Sequence, residues 1–372
     1  MEKNKNWRNA FFCWQTGIGL LLLLLAVATQ ACLTAASSET ARSFLAVKHP
    51  VGSEENSDQR SKRVKTSLAK SADHSPRLET FKDSAADWTV LRFPAVKAPV
   101  PEKSAKTRYL VLPALADTFQ KIDSLEWIKL PDLSSESIRV NPAIARLNAG
   151  FFDPKGNQSI SYVYQDGKWT GNPAENERLV NNTAIAEYLP QILNRSEFRT
   201  YWCGVTGSNT INYAIVPHNE AIPMGCKLLG AVGAGPRLLP ARTDRQEAFW
   251  AVDETGKTVR DPIGIKKPNA RSAIGLTADN SVMLVVAAQN RTGPVKRHGA
   301  TLDNLTQFMK KQGAVQAMAL DGGSSSSLWV NGNYYFNGVL SPMNHQTFWA
   351  RQTYAGEPVK RKVLSVIQVY PY

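Results

Sequence analysis

The sequence predicts an α+β protein: one mixed β-sheet domain with a few flanking helices, preceded by a signal or anchor segment and a disordered linker. Three observations lead there. From about residue 108 onward, short apolar runs alternate with turns rich in Gly, Asn and Asp, the pattern of half-buried and buried strands. Only one stretch in that region carries a strong helical period. The first hundred residues sustain no period at all beyond one apolar block near the start.

The elements follow in order. Ala143–Leu147 reads as a buried strand ending at Asn148. Tyr162–Tyr164 and Gly167–Trp169 read as a hairpin, because Asp166-Gly167 suits a turn that needs positive φ. Ile211–Val216, Arg271–Thr277 and Ser281–Ala288 are further strands, the last two joined by the polar turn Ala278-Asp279-Asn280. Thr301–Gln312 is the clear helix. Thr301 caps it, Leu302, Leu305, Phe308 and Met309 share a face, Lys310 and Lys311 complement the negative C-terminal end, and Gly313 stops it. Val315–Leu320 is a strand again, so 281–320 reads as strand, helix, strand, a crossover suited to a parallel pair.

The domain thus covers 108–372. Residues 1–36 form an export segment: Lys3, Lys5 and Arg8 supply a positive start, Gly17–Ala28 an apolar stretch, and Thr29, Ala31, Ala35 and Ala36 the small residues a signal peptidase needs. No charge occurs between Arg8 and Glu39, so an uncleaved anchor contacting the membrane is an alternative. Cys32 after Thr-Gln-Ala resembles a degraded lipidation site, a third one. An extracytoplasmic location, periplasmic or secreted, is expected either way. Residues 37–107, rich in Ser, Lys, Ala and Pro, bury too little apolar area to offset their ordering entropy and read as a linker. Within it, Trp88–Phe93 and the following prolines suggest a short docking segment.

The formal net charge of +13 raises the question of nucleic acid. Part of it lies in 37–110, which holds fourteen Lys and Arg against nine Asp and Glu, a net of +5. No zinc finger, basic helix or RNA-binding stretch accompanies it, so nucleic acid is excluded as a partner and the mildly basic domain suits an anionic substrate. Of four cysteines only Cys203 and Cys226 lie in the domain. Outside the cytoplasm a disulfide between them is expected, with two buried thiols as the other possible state.

Four segments stand at predicted strand ends: Asn148-Ala-Gly-Phe-Phe-Asp153, Gly233-Ala-Gly-Pro-Arg-Leu-Leu239, Arg271-Ser-Ala-Ile-Gly275 and Asp321-Gly-Gly-Ser-Ser-Ser-Ser-Leu328. Read by chemistry alone, Asp321 sits at the C-terminal edge of a strand. Gly322 and Gly323 let backbone approach a ligand, and their N–H groups with Ser324 and Ser325 suit anionic oxygens; a solvated Asx turn is the plainer reading. Asn148 and Asp153 flank an aromatic pair of the kind that stacks on sugar rings. Arg271 opens a buried strand and needs either a carboxylate or a substrate phosphate. Arg291 and His298 lie in a basic loop; Arg291 suits phosphate, His298 a solvated position. No zinc-type cluster is present in the sequence and no cofactor is expected, although Asp153 and Asp321 would offer oxygens to a divalent cation.

Together, in this order and spacing, these segments resemble the phosphodiester glycosidase family over about 145–370. The resemblance implies an exported hydrolase that cleaves a sugar-1-phosphodiester, with a sugar phosphodiester or envelope glycan as partner. It departs from the family in Ser324, where the family has a third Gly, and in Gln289-Asn290-Arg291, where the family has Asp-Gly-Arg. The catalytic carboxylates are then Asp321 and Asp153, and the substrate-binding residues Asn148, Arg271, Arg291, Gly322, Gly323, Ser324 and Ser325. The alternatives are a non-catalytic polysaccharide-binding protein on the same fold and a serine hydrolase using Ser324–Ser326. The missing Gly-x-Ser-x-Gly argues against the second.

Overall fold

The computed structural model describes residues 75–94, 109–120, 143–205, 208–289, 297–331, 333–336, 339–341 and 363–371. The export segment, the linker up to residue 74 and Arg291 lie outside the described residues.

Along the chain, β1 (Arg77–Lys82) and β2 (Asp87–Phe93) form a hairpin, followed by β3 (Tyr109–Gln120) and β4 (Ala145–Asn148). A small hairpin of β5 (Phe152–Asp153) and β6 (Gln158–Ser159) precedes β7 (Val163–Gln165) and β8 (Lys168–Gly171). Two short helices, α1 (Glu177–Val180) and α2 (Leu189–Ile192), lead to β9 (Ser196–Val205), β10 (Ser208–Pro217), β11 (Cys226–Gly233) and β12 (Arg237–Leu239). The pair β13 (Ala251–Val252) and β14 (Thr258–Arg260) precedes β15 (Arg271–Thr277), β16 (Val282–Ala288), α3 (Leu302–Lys311) and β17 (Ala314–Ala319). Last come β18 (Ser327–Val330), β19 (Asn333–Phe336), β20 (Val339–Ser341) and β21 (Val363–Pro371).

The domain is mostly β, with few helices. Three main sheets run in the orders β1-β2-β16-β15-β17-β12, β20-β19-β18-β4-β21-β3 and β10-β9-β11-β7-β8. The Asp166-Gly167 turn joins β7 to β8 with both residues at positive φ, as the sequence required. The helix α3 also forms as expected: Thr301 and Asn304 make a reciprocal capping box, and Leu302, Leu305, Phe308 and Met309 are the buried face.

The first sheet shows why β16 reads as one unbroken apolar run, VMLVVAA. Successive side chains leave a strand on opposite faces, and both faces are covered. Leu284 and Val286 enter a core shared with Leu91, Leu147, Phe198, Ile274, Leu328 and Ile367, drawn from all three sheets. Met283, Val285 and Ala287 enter a second core built by Trp88, Val90 and the apolar face of α3.

Two expectations need correction. The segment 37–107 is not linker throughout: β1 and β2 belong to the sheet, with β2 paired antiparallel to β16 from Asp87↔Ala288 to Phe93↔Val282. Trp88 is buried and stacks on Phe308 at 4.0 Å. The crossover at 281–320 also does not make a neighbouring parallel pair. β15 lies between β16 and β17 and is antiparallel to both. The tight turn at 278–281 gives β15 the place beside β16, so the chain returning through α3 docks on the far side of β15. Every strand pairing among the described residues is antiparallel.

Registers place the strand ends that carry the motifs on one rim. Arg271 opposes Ala287, Ala273 opposes Ala319, Glu197 opposes Gly233, and Asn148 opposes Val366. Cys203 opposes Cys226 at the other end of β9 and β11, and the two form a disulfide.

Candidate active site

The last residue of β4 ties the rim together. Asn148 is 0% exposed; its Nδ2 donates to the Asp321 carbonyl (2.6 Å), and its Oδ1 accepts from Ser272 Oγ (2.7 Å) and the Ser327 N–H (3.0 Å). One amide thus joins β4, β15, the end of β17 and the start of β18. These hydrogen bonds are made inside the protein, so in this structure Asn148 acts as a brace. The next residue adds a second grip: the Asp321 N–H donates to the Ala149 carbonyl (2.8 Å). Both backbone groups of Asp321 are therefore fixed by the first motif.

The Gly-rich segment closes on the same place. A Cβ on Gly150 would lie 2.7 Å from Ser161 Cβ and 2.9 Å from the Gly233 carbonyl, so only glycine lets these loops meet. The Gly233 N–H donates to the Tyr162 carbonyl (2.8 Å), and the Gly235 N–H to the Ala319 carbonyl (3.0 Å).

Beyond Asp321 the chain makes a 3-10 turn, Gly323–Ser325, with Gly323 at φ +61°. The N–H groups of Gly323, Ser325 and Ser326 are used within the fold, donating to Ala270, Gly322 and Gly323 carbonyls. The expected anion cradle is thus narrower than the sequence implied: of Gly322, Gly323, Ser324 and Ser325, only Gly322 and Ser324 keep N–H groups outside this internal set. Asp321, Gly322 and Ser324 are half-buried, whereas Ser325 is buried.

Arg271 also departs from expectation. It is 4% exposed, and its guanidinium meets neither a carboxylate nor open space. Nε donates to the Ala300 carbonyl (3.1 Å), Nη1 to Ile263 (2.9 Å), and Nη2 to Gly264 (2.6 Å) and Lys267 (3.0 Å). Burial pulls its pKa down to about 10, against a partial opposing pull from Asp261. Four carbonyl dipoles replace water and hold the loop 263–267 against the rim.

Asp153 is buried at the end of β5. It accepts from the Lys155 N–H (2.9 Å) and pairs with Arg178 at 2.5 Å. Burial alone would raise its pKa, but the N–H groups of Lys155 and Gly156 and the Arg178 guanidinium outweigh it and leave the carboxyl below its ordinary value. Phe151, expected as a sugar platform, packs against the main core and Phe249. His298 is exposed, as a solvated position requires.

The sequence reading missed a buried charge cluster on the same rim. Glu197 is 0% exposed, with one oxygen 2.8 Å from Arg199 Nε and the other 2.5 Å from His218 Nδ1. His218 stacks face to face on Tyr162 at 3.5 Å. Glu197 and Arg199 are two apart in β9 and so share a face, the one signal that could have marked them. A second buried carboxylate, Glu247, accepts from the Ser196 N–H and Oγ (3.1 and 2.7 Å) and the Arg237 N–H (3.1 Å), and a hydroxyl bond from Thr243, bracing the Gly-rich loop. Among the described residues, no three His, Cys, Asp or Glu side chains converge as a metal site.

With this geometry in hand, residues 141–369 match the phosphodiester glycosidase family, and the chain belongs to it. No curated protein matches it in sequence. Among solved structures it is similar to a hypothetical protein of Synechocystis (17% identity, TM-score 0.41), covering 80% of this chain and 62% of that one. It is also similar to the catalytic domain of zebrafish N-acetylglucosamine-1-phosphodiester alpha-N-acetylglucosaminidase, auto-inhibited by its pro-peptide (14%, TM-score 0.44, 79% of this chain and 82% of that). A third is a Burkholderia pseudomallei protein described as a candidate exported protein (13%, TM-score 0.42, 76% and 74%).

Proposed function

We propose that the chain is an exported hydrolase that cleaves a sugar-1-phosphodiester at the anomeric carbon. The observation that carries this is the double grip on Asp321 by Asn148 and Ala149, which fixes a carboxylate-bearing residue at the meeting point of four family motifs. Such rigidity is what electrostatic stabilisation of a transition state needs. In this reading the Asp321 carboxylate stabilises the oxocarbenium-like centre as the bond to the phosphate oxygen breaks. The N–H groups of Gly322 and Ser324 meet the phosphate oxygens. A phosphate leaving group is already a weak base, so little acid assistance is required. Asp153, held ionised by Arg178, is a poor proton donor and serves to shape the β5–β6 turn. The Cys203–Cys226 disulfide supports an oxidising compartment.

The test is release of free sugar from a glycosyl-1-phosphate diester by the purified full-length chain. Hydrolysis by the wild-type protein that is lost in Asp321→Asn supports the reading. Binding of the diester without any hydrolysis would favour a glycan-binding protein on the same fold.

A further inference from the structure

The proposed reaction leaves one role unfilled. Water must attack the anomeric carbon, and something must accept its proton, yet Asp153 is committed to its turn and to Arg178. The rim carries one other group of suitable chemistry. His218 follows the last residue of β10, and Glu197 is the second residue of β9 beside it.

The imidazole is held on three sides. Glu197, itself 0% exposed, sits 2.5 Å from Nδ1. Tyr162 covers one ring face at 3.5 Å with the planes 3° apart, and Trp169 meets the ring edge-on at 5.1 Å. The turn that carries His218 is fixed as well: Arg199 donates to the carbonyls of His218 (2.5 Å) and Glu220 (2.7 Å) while its Nε pairs with Glu197. Arg199 Nε meets the same carboxylate at 2.8 Å, so His218 is not the only partner of Glu197. A neutral ring that donates Nδ1–H to Glu197 presents Nε2 as a base, and among the described residues Nε2 makes no hydrogen bond. The cluster joins the site through Tyr162, whose carbonyl accepts from Gly233, the residue that touches Gly150. Trp169, 40% exposed, stands beside it as an uncovered aromatic surface of the kind on which sugar rings stack.

We infer that His218 is a catalytic residue of this centre, taking the proton of the attacking water on Nε2, with Glu197 and Arg199 as positioning residues and Trp169 as a sugar platform. This inference rests on the proposed sugar-1-phosphodiester reaction. The step balances: the water O–H bond breaks, its proton goes to Nε2, and the oxygen bonds to the anomeric carbon. The carbon–oxygen bond to phosphate breaks with its electron pair on the leaving phosphomonoester, and His218 returns the proton to solvent. The products are a free sugar and a phosphomonoester.

The experiment uses the full-length protein in mild detergent with a glycosyl-1-phosphate diester. His218→Asn keeps an amide N–H where Nδ1 meets Glu197 but has no base, so kcat should fall about a hundredfold or more at unchanged melting temperature. Glu197→Gln should lower kcat with KM unchanged, and Trp169→Ala should raise KM with kcat unchanged. A wild-type enzyme that is active while His218→Asn stays within about fivefold in kcat overturns the histidine's role and leaves the proposed function standing. An inactive wild type overturns both. A measurement on wild-type protein is independent of whether any variant folds. Carbethoxylation of His218, read by peptide mapping, should be slowed by N-acetylglucosamine 1-phosphate; equal rates with and without it also overturn the assignment.

Discussion

Asp321 and Asp153 are carboxylates in opposite circumstances. The backbone of Asp321 is fixed on both sides by the first motif, so Asp321→Asn should leave the fold intact. It should cost kcat on the order of a hundredfold, roughly 3 kcal/mol of transition-state stabilisation; steady-state kinetics and melting temperature on one preparation check this. Asp153 contributes to stability instead. Its folded-state pKa lies below the ordinary 3.8, so its contribution is complete above that value and is lost as pH falls through the lower, folded one. Asp153→Asn should therefore flatten the fall in stability at acid pH, measured by urea unfolding between about pH 5 and pH 2. Arg271→Lys strips hydrogen bonds from several buried carbonyls at once. It should lower stability by on the order of 3 kcal/mol before it alters KM. The sequence located these residues but not the hydrogen bonds that hold them. A motif written as Asn-x-Gly-Phe-Phe or Arg-x-Ala-Ile-Gly mixes groups that meet substrate with groups that fasten one strand end to another. The side-chain hydrogen bonds of Asn148 and Arg271 run to other strand ends and loops, a use that the motif spelling does not display.

At the scale of elements, local signals were legible and distant partnerships were not. The helix α3 and the Asp166-Gly167 hairpin carry their own caps and turn residues, so both were readable from a dozen residues. β2 has no such signal: DWTVLRF stands between charged and proline-rich stretches, and its partner β16 is nearly two hundred residues further along. The pairing earns its stability from burial that the sequence does not display locally. Trp88→Ala should cost about 3–5 kcal/mol, as the loss of a large core aromatic does, read by chemical denaturation; a linker residue would cost nothing. Glu197 and His218 escaped for a related reason, since an acid one residue inside a strand end and a base one residue past another look like ordinary solvated positions until the register brings them together.

For the whole molecule, the disulfide and the export segment belong to one argument. Cys203 and Cys226 face each other across β9 and β11 at the end away from the motifs, closing a separation of 23 residues. A cross-link of that span is worth about 3 kcal/mol in the chain-entropy model. A stabiliser so placed operates only where thiols oxidise, and the apolar run Gly17–Ala28 behind a basic start is the feature of the sequence that would take the chain there. Two measurements then rise or fall together. A fusion of residues 1–40 to a reporter active only after export should give signal. Non-reducing peptide mapping of the chain so exported should find Cys203 and Cys226 linked, whereas a chain lacking 1–36 and kept in a reducing cytoplasm should yield two alkylatable thiols and a stability lower by about that amount. Its kcat should be unchanged, because the rim that holds Asp321 lies at the opposite end of the same strands. A silent fusion would remove the export route, and free thiols in exported protein would break the link between compartment and stability.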